Sequence, residues 1–125
     1  MNSLIDRDYH IAYELQLADL DLDSGNDNRA IDKLSGLYNS FPGNHAISMQ
    51  YAKALLKESD PEKAKKAAVV LRKQLLTHPN DPQLYELYAR SANFAGQTVK
   101  AKEAIAESYY LRGGIHEAAM QLQTL

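Results

Sequence analysis

Four histidines, His10, His45, His78 and His116, are the residues of this chain best suited to hold a metal or move a proton near neutral pH. No two of them share the i, i+4 spacing that sets two imidazoles on one side of a helix. His116 and Glu117 begin an HExxH pattern, but the closing position is Met120. One imidazole and a thioether at that spacing do not make a zinc site, so His116 reads as a plain first-turn residue of a helix. His78 precedes Pro79 and reads as a helix-end residue that meets carbonyl groups. Serine catalysis has no support either, since there is no GxSxG elbow. The glycines are isolated or paired at helix ends rather than arranged as a phosphate cradle, and Gly113 with Gly114 reads as a turn. Acids at one-turn spacing, such as Asp19 with Asp23, read as a solvated face. No catalytic, cofactor-binding or metal-ligating residue is assigned.

A cluster of cations is the remaining chemical feature. Lys63, Lys65, Lys66, Arg72 and Lys73 fall within one segment and are able to meet phosphates. They are not interleaved with exposed aromatics, and a pI near 6.1 opposes nucleic-acid binding. A solvated helix, or a patch that steers an acidic protein partner, fits them better. Charge is unevenly spread. Up to Asn44, Asp6, Asp8, Glu14, Asp19, Asp21, Asp23, Asp27 and Asp32 face only Arg7, Arg29 and Lys33, while the rest of the chain is net basic by about three charges.

The elements that carry these residues are legible from apolar spacing. A first helix over about residues 4–24 places Ile11, Leu15, Ala18 and Leu22 on one face, with Leu17 and Leu20 on another side, as if awaiting a neighbour. Gly25 turns the chain, and Asn26 or Asp27 caps a second helix with Ile31, Leu34, Leu37 and Tyr38 inside. Phe41, Pro42, Gly43 and Asn44 end it. A third helix over about 45–57 buries Ala46 or Ile47, Met49 or Tyr51, Ala52, Leu55 and Leu56. Asp60 and Pro61 open a fourth that runs to about Thr77, with Val69, Val70, Leu71, Leu75 and Leu76 inside. Three more follow over about 82–95, 98–112 and 115–125, the last with Ile115, Ala118, Ala119, Leu122 and Leu125 as an apolar face. No polar helix follows to cover that face, which leads us to expect a piece of a longer chain or a contact with another one.

The totals agree with a helical domain of ordinary composition. With 125 residues, 45% apolar and 24% charged, the chain is long enough for about one domain with a continuous core. Cysteine is absent, which removes disulfide and thiolate chemistry. No run approaches the roughly 18 apolar residues of a membrane span, and the first residues lack the build of a signal peptide.

One interval then organises the whole. Ala89, Gly96 and Ala101 are separated by seven and five residues, and the interval recurs as Ala106, Gly113 and Ala118, as Ala18, Gly25 and Ala30, and as Ala52, Ser59 and Ala64. Small residues allow two antiparallel helices to approach closely, and the glycine supplies the left-handed backbone that ends the first of them. Pro42 closes the first unit and Pro79 the second, the latter three residues late. Ala18 to Ala52 spans 34 residues, the tetratricopeptide period. With aromatics at Tyr38, Tyr51, Tyr88 and Tyr109, the chain resembles that family. It departs from the pattern in lacking a tryptophan near each unit's start, in Ser59 for glycine, and in Gly113 where a proline would stand.

The resemblance implies an all-α tetratricopeptide αα-superhelix of about seven antiparallel helices, forming a single domain over 1–125 with hairpins at about 4–41, 45–78 and 82–112 and a last helix at 115–125. It also implies an inner groove lined by the first helix of each hairpin, here Asp19, then Met49, Gln50 and Lys53, then Gln83, Glu86, Arg90 and Asn93, which receives a protein or peptide. Methionine and arginine suit such contacts. The lysine and asparagine clamp for a C-terminal carboxylate is not matched.

Within the family, Leu84, Leu87, Ala89, Ala101, Ala106, Glu107, Tyr109, Gly113, Glu117, Ala118 and Leu122 resemble the tail of periplasmic zinc metallopeptidases of the β-barrel assembly-enhancing type. That likeness implies a non-catalytic scaffold, with zinc held by an HExxH domain elsewhere in the parent protein. The scaffold would dock substrates or the outer-membrane protein assembly machinery in the periplasm. The alternative is a stand-alone adaptor or co-chaperone with no attached enzyme, for which the cytoplasm is the alternative location. Neither reading involves nucleic acid or membrane insertion, and either can use the open face of the last helix for contact.

Overall fold

The structure, a computed structural model, describes residues 3–123, with the backbone alone for Ser3 and Ile115. The side chain of Ile115 and Leu125, both expected on the apolar face of the last helix, lie outside what is described. The described chain is all-α, with helices α1 (Ser3–Asp23), α2 (Asp27–Ser40), α3 (His45–Leu56), α4 (Pro61–Thr77), α5 (Pro82–Phe94), α6 (Thr98–Leu111) and α7 (Ile115–Gln123). It forms two compact units that divide between Ala54 and Leu55, inside α3.

In the first unit, α1 buries Ile11, Leu15 and Ala18 along one face, and α2 buries Ala30, Leu34 and Leu37. Ala18 and Ala30, the two small residues of the repeated interval, are fully buried, which is where a close helix approach needs them. On α3 it is Ile47 rather than Ala46, and Tyr51 rather than Met49, that is buried. The Tyr51 ring lies 5.4 Å from that of Tyr38, tilted by 41°. Asn44 begins α3 by accepting the Ile47 amide through Oδ1 at 3.0 Å, and the buried Ser48 donates its hydroxyl to the Asn44 carbonyl at 2.8 Å.

Three of the glycine turns share one geometry. Gly25, Gly96 and Gly113 have φ of 81°, 81° and 83°. In each, the residue after the glycine donates its amide five residues back, from Asn26 to Asp21, Gln97 to Ala92 and Gly114 to Tyr109, each at 2.7 Å. The glycine itself bonds three residues back. This double closure satisfies the last carbonyls of a helix and demands a residue tolerant of positive φ. Among the described residues no non-glycine has positive φ, so Ser59 turns the chain differently. Here α3 simply stops at Leu56, and the Asp60 side chain starts α4 by accepting the Glu62 and Lys63 amides at 2.8 and 3.4 Å. Asp81 repeats that device for α5, taking the Gln83 amide at 3.0 Å and the Leu84 amide at 3.4 Å. Asn26 differs from the expectation: its side chain makes no capping bond to α2. Its backbone amide is committed to closing α1 instead.

In the second unit, α4 buries Ala64, Ala67, Ala68, Val70, Leu71 and Gln74. Two residues expected inside are not there, as Val69 is 57% and Leu76 79% exposed. At about 100° per residue a helix cannot turn every member of the run from Val69 to Leu76 inward, and the alanines set the buried stripe. The hairpin of α5 and α6 is built on alanine. Ala89, Ala92, Ala101 and Ala104 form one buried cluster, flanked by Tyr85, Tyr88 and Ile105. On α7, Ala118 is buried, whereas Ala119 is exposed and Met120 and Leu122 are 54% and 48% exposed.

Candidate functional site

The hairpin of α5 and α6 carries a hollow of about 300 Å³. Ala89 and Ala101 contribute to its wall because they are too small to fill the space between the helices, and Ile105 adds an apolar side. Glu86, Arg90 and Asn93, three of the four residues expected from this helix to line a groove, converge on it. The fourth, Gln83, is an exposed first-turn residue outside the hollow. Thr98 and Lys102 line it from α6, residues for which spacing alone offered no signal, since the second helix of a hairpin is expected to face away.

Two of these side chains are already held. Glu86 Oε1 accepts the Ser108 hydroxyl at 3.0 Å and the Arg112 guanidinium at 2.9 Å, so it fastens the end of α6 to α5. Its charge is thereby offset within the hairpin. Arg90 lies with its guanidinium carbon 5.8 Å from the centre of the Phe94 ring, one turn along the same helix. A guanidinium resting on an aromatic face keeps its N–H edge free for a planar acceptor, which pre-orients it toward a carboxylate.

The expected groove residues of the first unit are placed separately. Asp19 and Lys53 are exposed, and Met49 and Gln50 are half-buried. Met49, Gln50 and Lys53 share one side of α3 by helical spacing. Gln50 Oε1 is buried without a hydrogen-bond partner, as is the Tyr38 hydroxyl.

A second hollow, of about 380 Å³, was not anticipated from spacing. It lies where α4, α5 and α6 meet, lined by Arg72, Tyr85, Tyr88, Lys100, Glu103 and Glu107 among others. The available signal was the i, i+3 pair of tyrosines on α5 together with the i, i+4 pair Glu103 and Glu107 on α6. Burial, and then repulsion from the Glu107 carboxylate, push the Tyr85 phenol above its ordinary value. A raised value in the folded state favours the neutral phenol. The contribution is fully present below the ordinary tyrosine value of about 10 and is lost as pH rises through the raised one. In an alkaline absorbance titration we expect Tyr85→Phe to remove a late part of the tyrosine ionisation curve, and Glu107→Gln to move that part toward lower pH. Removal of an early part instead would show that Tyr85 is not shielded.

The remaining chemical candidates stay apart. His10, His45 and His116 are exposed on α1, α3 and α7, and His78 terminates α4, its Nδ1 3.3 Å from the Gln74 carbonyl and 2.9 Å from Thr77 Oγ1. Among the described residues no group of three or more His, Cys, Asp or Glu is placed to hold a metal ion. Two cations of α4 are taken by neighbouring acids, Lys63 by Glu58 at 3.0 Å and Lys65 by Glu62 at 3.3 Å. No described helix is long and apolar enough to cross a membrane. Compared with known proteins, the chain matches no family model, no curated protein and no solved structure.

Proposed function

We propose that this chain is a non-catalytic protein-binding scaffold, a tetratricopeptide-type αα-superhelix whose helical hairpins grip a segment of another polypeptide. In this reading it is the repeat domain of a periplasmic zinc metallopeptidase, where it docks substrates or outer-membrane protein assembly machinery. The zinc then belongs to the parent's catalytic domain. The observation that carries the peptide-binding part of this reading is the hollow of the α5–α6 hairpin, where an alanine wall is bordered by Arg90, Asn93 and Lys102, while the metallopeptidase part rests on the resemblance of the residues between Leu84 and Leu122. Glu86 is already bound to Ser108 and Arg112, and Arg90 is oriented by Phe94. A side chain bearing a carboxylate, presented by an extended peptide, is the ligand group such a border recognises.

Peptides selected on the full chain from a random-sequence display library are therefore expected to be rich in Asp or Glu. Against the selected peptide, Arg90→Glu should weaken binding roughly 10- to 100-fold, the loss of a charge-assisted hydrogen-bond pair. The helical circular dichroism should stay unchanged, because Arg90 is exposed. Binding within twofold of the unsubstituted protein would remove the hollow from the reading. Lys53→Glu, measured alone, tests the share of the first unit. An HExxH-encoding domain in the same reading frame ahead of Met1 would support the metallopeptidase arrangement, and its absence would favour a stand-alone adaptor or co-chaperone.

A further inference from the structure

The first helix has a second apolar face that nothing in its own unit covers. At about 100° per residue, Ile5, Tyr9, Tyr13, Gln16 and Leu20 fall within roughly 80° of arc, on the side of α1 opposite Ile11, Leu15 and Ala18. The latter three are buried, while Ile5 is 51%, Tyr9 73%, Tyr13 60% and Leu20 60% exposed. A solvated helix has no physical reason to line up two tyrosines, an isoleucine and a leucine on its outer side, since polar residues cost nothing there. Tyrosine is also the residue type favoured where an apolar surface must be wet when free and covered when bound.

Charge around this stripe is one-sided. Of the acids on α1, Glu14 turns to Lys33 of α2 at 3.8 Å and Asp21 to Arg29 at 3.9 Å. Asp6, Asp19 and Asp23 stand exposed on the outer side. The helix has no lysine, and its one arginine, Arg7, lies 5.8 Å over the Phe41 ring. The field along the stripe is therefore negative.

We infer that the outer face of α1 is a docking surface for a basic amphipathic helix of another protein, with leucine-like residues seated on Tyr9, Tyr13 and Leu20 and lysines or arginines beside Asp6, Asp19 and Asp23. A helix suits this face because α1 offers no free backbone groups along its length, and a helical partner brings its own already satisfied while laying an apolar stripe along the tyrosines. From Ile5 to Leu20 the stripe is about 22 Å long, which a partner helix of some 15 to 18 residues covers. Charge favours this partner over two other occupants. A second copy meeting α1 with its own α1, or with the α6–α7 hollow bordered by Glu103 and Glu107, would bring like charge, and a second copy's basic α4 is set apart by the dimerisation arm of the test. An anionic lipid surface would be repelled. This surface is separate from the hollow of the α5–α6 hairpin and does not depend on the function proposed for it.

The test uses the full chain and a labelled model peptide of about 18 residues, long enough to span the stripe, with leucines along one face and lysines flanking them. Its controls are the same pattern with glutamates for lysines and a scramble of equal composition. The leucine–lysine helix should bind at least about tenfold more tightly than either control, and more weakly as salt is raised. Tyr13→Ser combined with Leu20→Ser should weaken it about tenfold or more without loss of helical signal, since both residues are exposed. Arg90→Glu should leave it unchanged. Equal binding of the glutamate peptide or the scramble, or full binding by the double variant, would overturn the assignment. So would vesicle binding or dimerisation that the double variant abolishes, because either would give the face to a different occupant.

Discussion

Leu84→Ala is expected to lower the stability of the C-terminal unit by about 2–5 kcal/mol, the range for truncating a well-packed leucine. Leu84 is fully buried in the first turn of α5, directly after the Asp81 cap whose carboxylate accepts its amide. Capping and burial thus act on one residue, and the cavity left by alanine cannot be closed by moving α5 without breaking the cap. A difference of this size is a large part of the total for a small unit. With roughly 4–8 °C per kcal/mol at this size, the thermal midpoint should fall by about 10 °C or more. Helical circular dichroism against temperature checks it, with a urea series to show whether the two units unfold together. A drop below about 1 kcal/mol would mean that the first turn of α5 is less tightly packed than its burial implies.

Ala92→Leu should have the opposite cause and a comparable effect. Ala92 is fully buried in the alanine cluster between α5 and α6. Three more carbons at that point force the helices apart, at a cost of about 1–3 kcal/mol from overpacking. The substitution also raises intrinsic hydrophobicity without lowering helix propensity much, so destabilisation would isolate the steric term. Ala46→Leu, at an exposed position of α3, is the matched control and should change stability by less than about 0.5 kcal/mol. Because Ala89 and Ala101 of the same cluster border the hollow, Ala92→Leu should weaken capture of the peptide selected on the unsubstituted chain even below its melting temperature. Unaltered stability would refute the close approach of the two helices.

The link between that cluster and the hollow is why part of the lining of the candidate site was legible in the sequence. An alanine that admits a neighbouring helix also leaves space at its edge, and residues three and four positions away, such as Arg90 and Asn93, border that space by helical geometry. What those residues do there was not legible. Glu86 was read as a groove residue, yet it is bonded to Ser108 and Arg112, partners more than twenty positions away. The tyrosine-lined hollow was missed for a similar reason. Its walls come from three helices, and no local pattern states which side of α4 meets α5 and α6.

The amino-acid order by itself determined that the described chain is helical, where the described helices lie to within about a residue, and three of the four turns set by the repeated interval, Ser59 being the exception. Those properties depend on interactions within a few positions: Asp60 and Asp81 on the amides that follow, Pro61 and Pro82 in first turns, and Gly25, Gly96 and Gly113 at positive φ. Tertiary packing decided the rest. It chose the alanine stripe over Val69 and Leu76 as the inner face of α4, left Tyr9 and Tyr13 of α1 in water, and joined Glu86 to the end of α6. The reason is that burial is a property of pairs of surfaces. A helix with apolar residues on several sides states only that it has neighbours to gain, and the fit between facing side chains settles which side is covered.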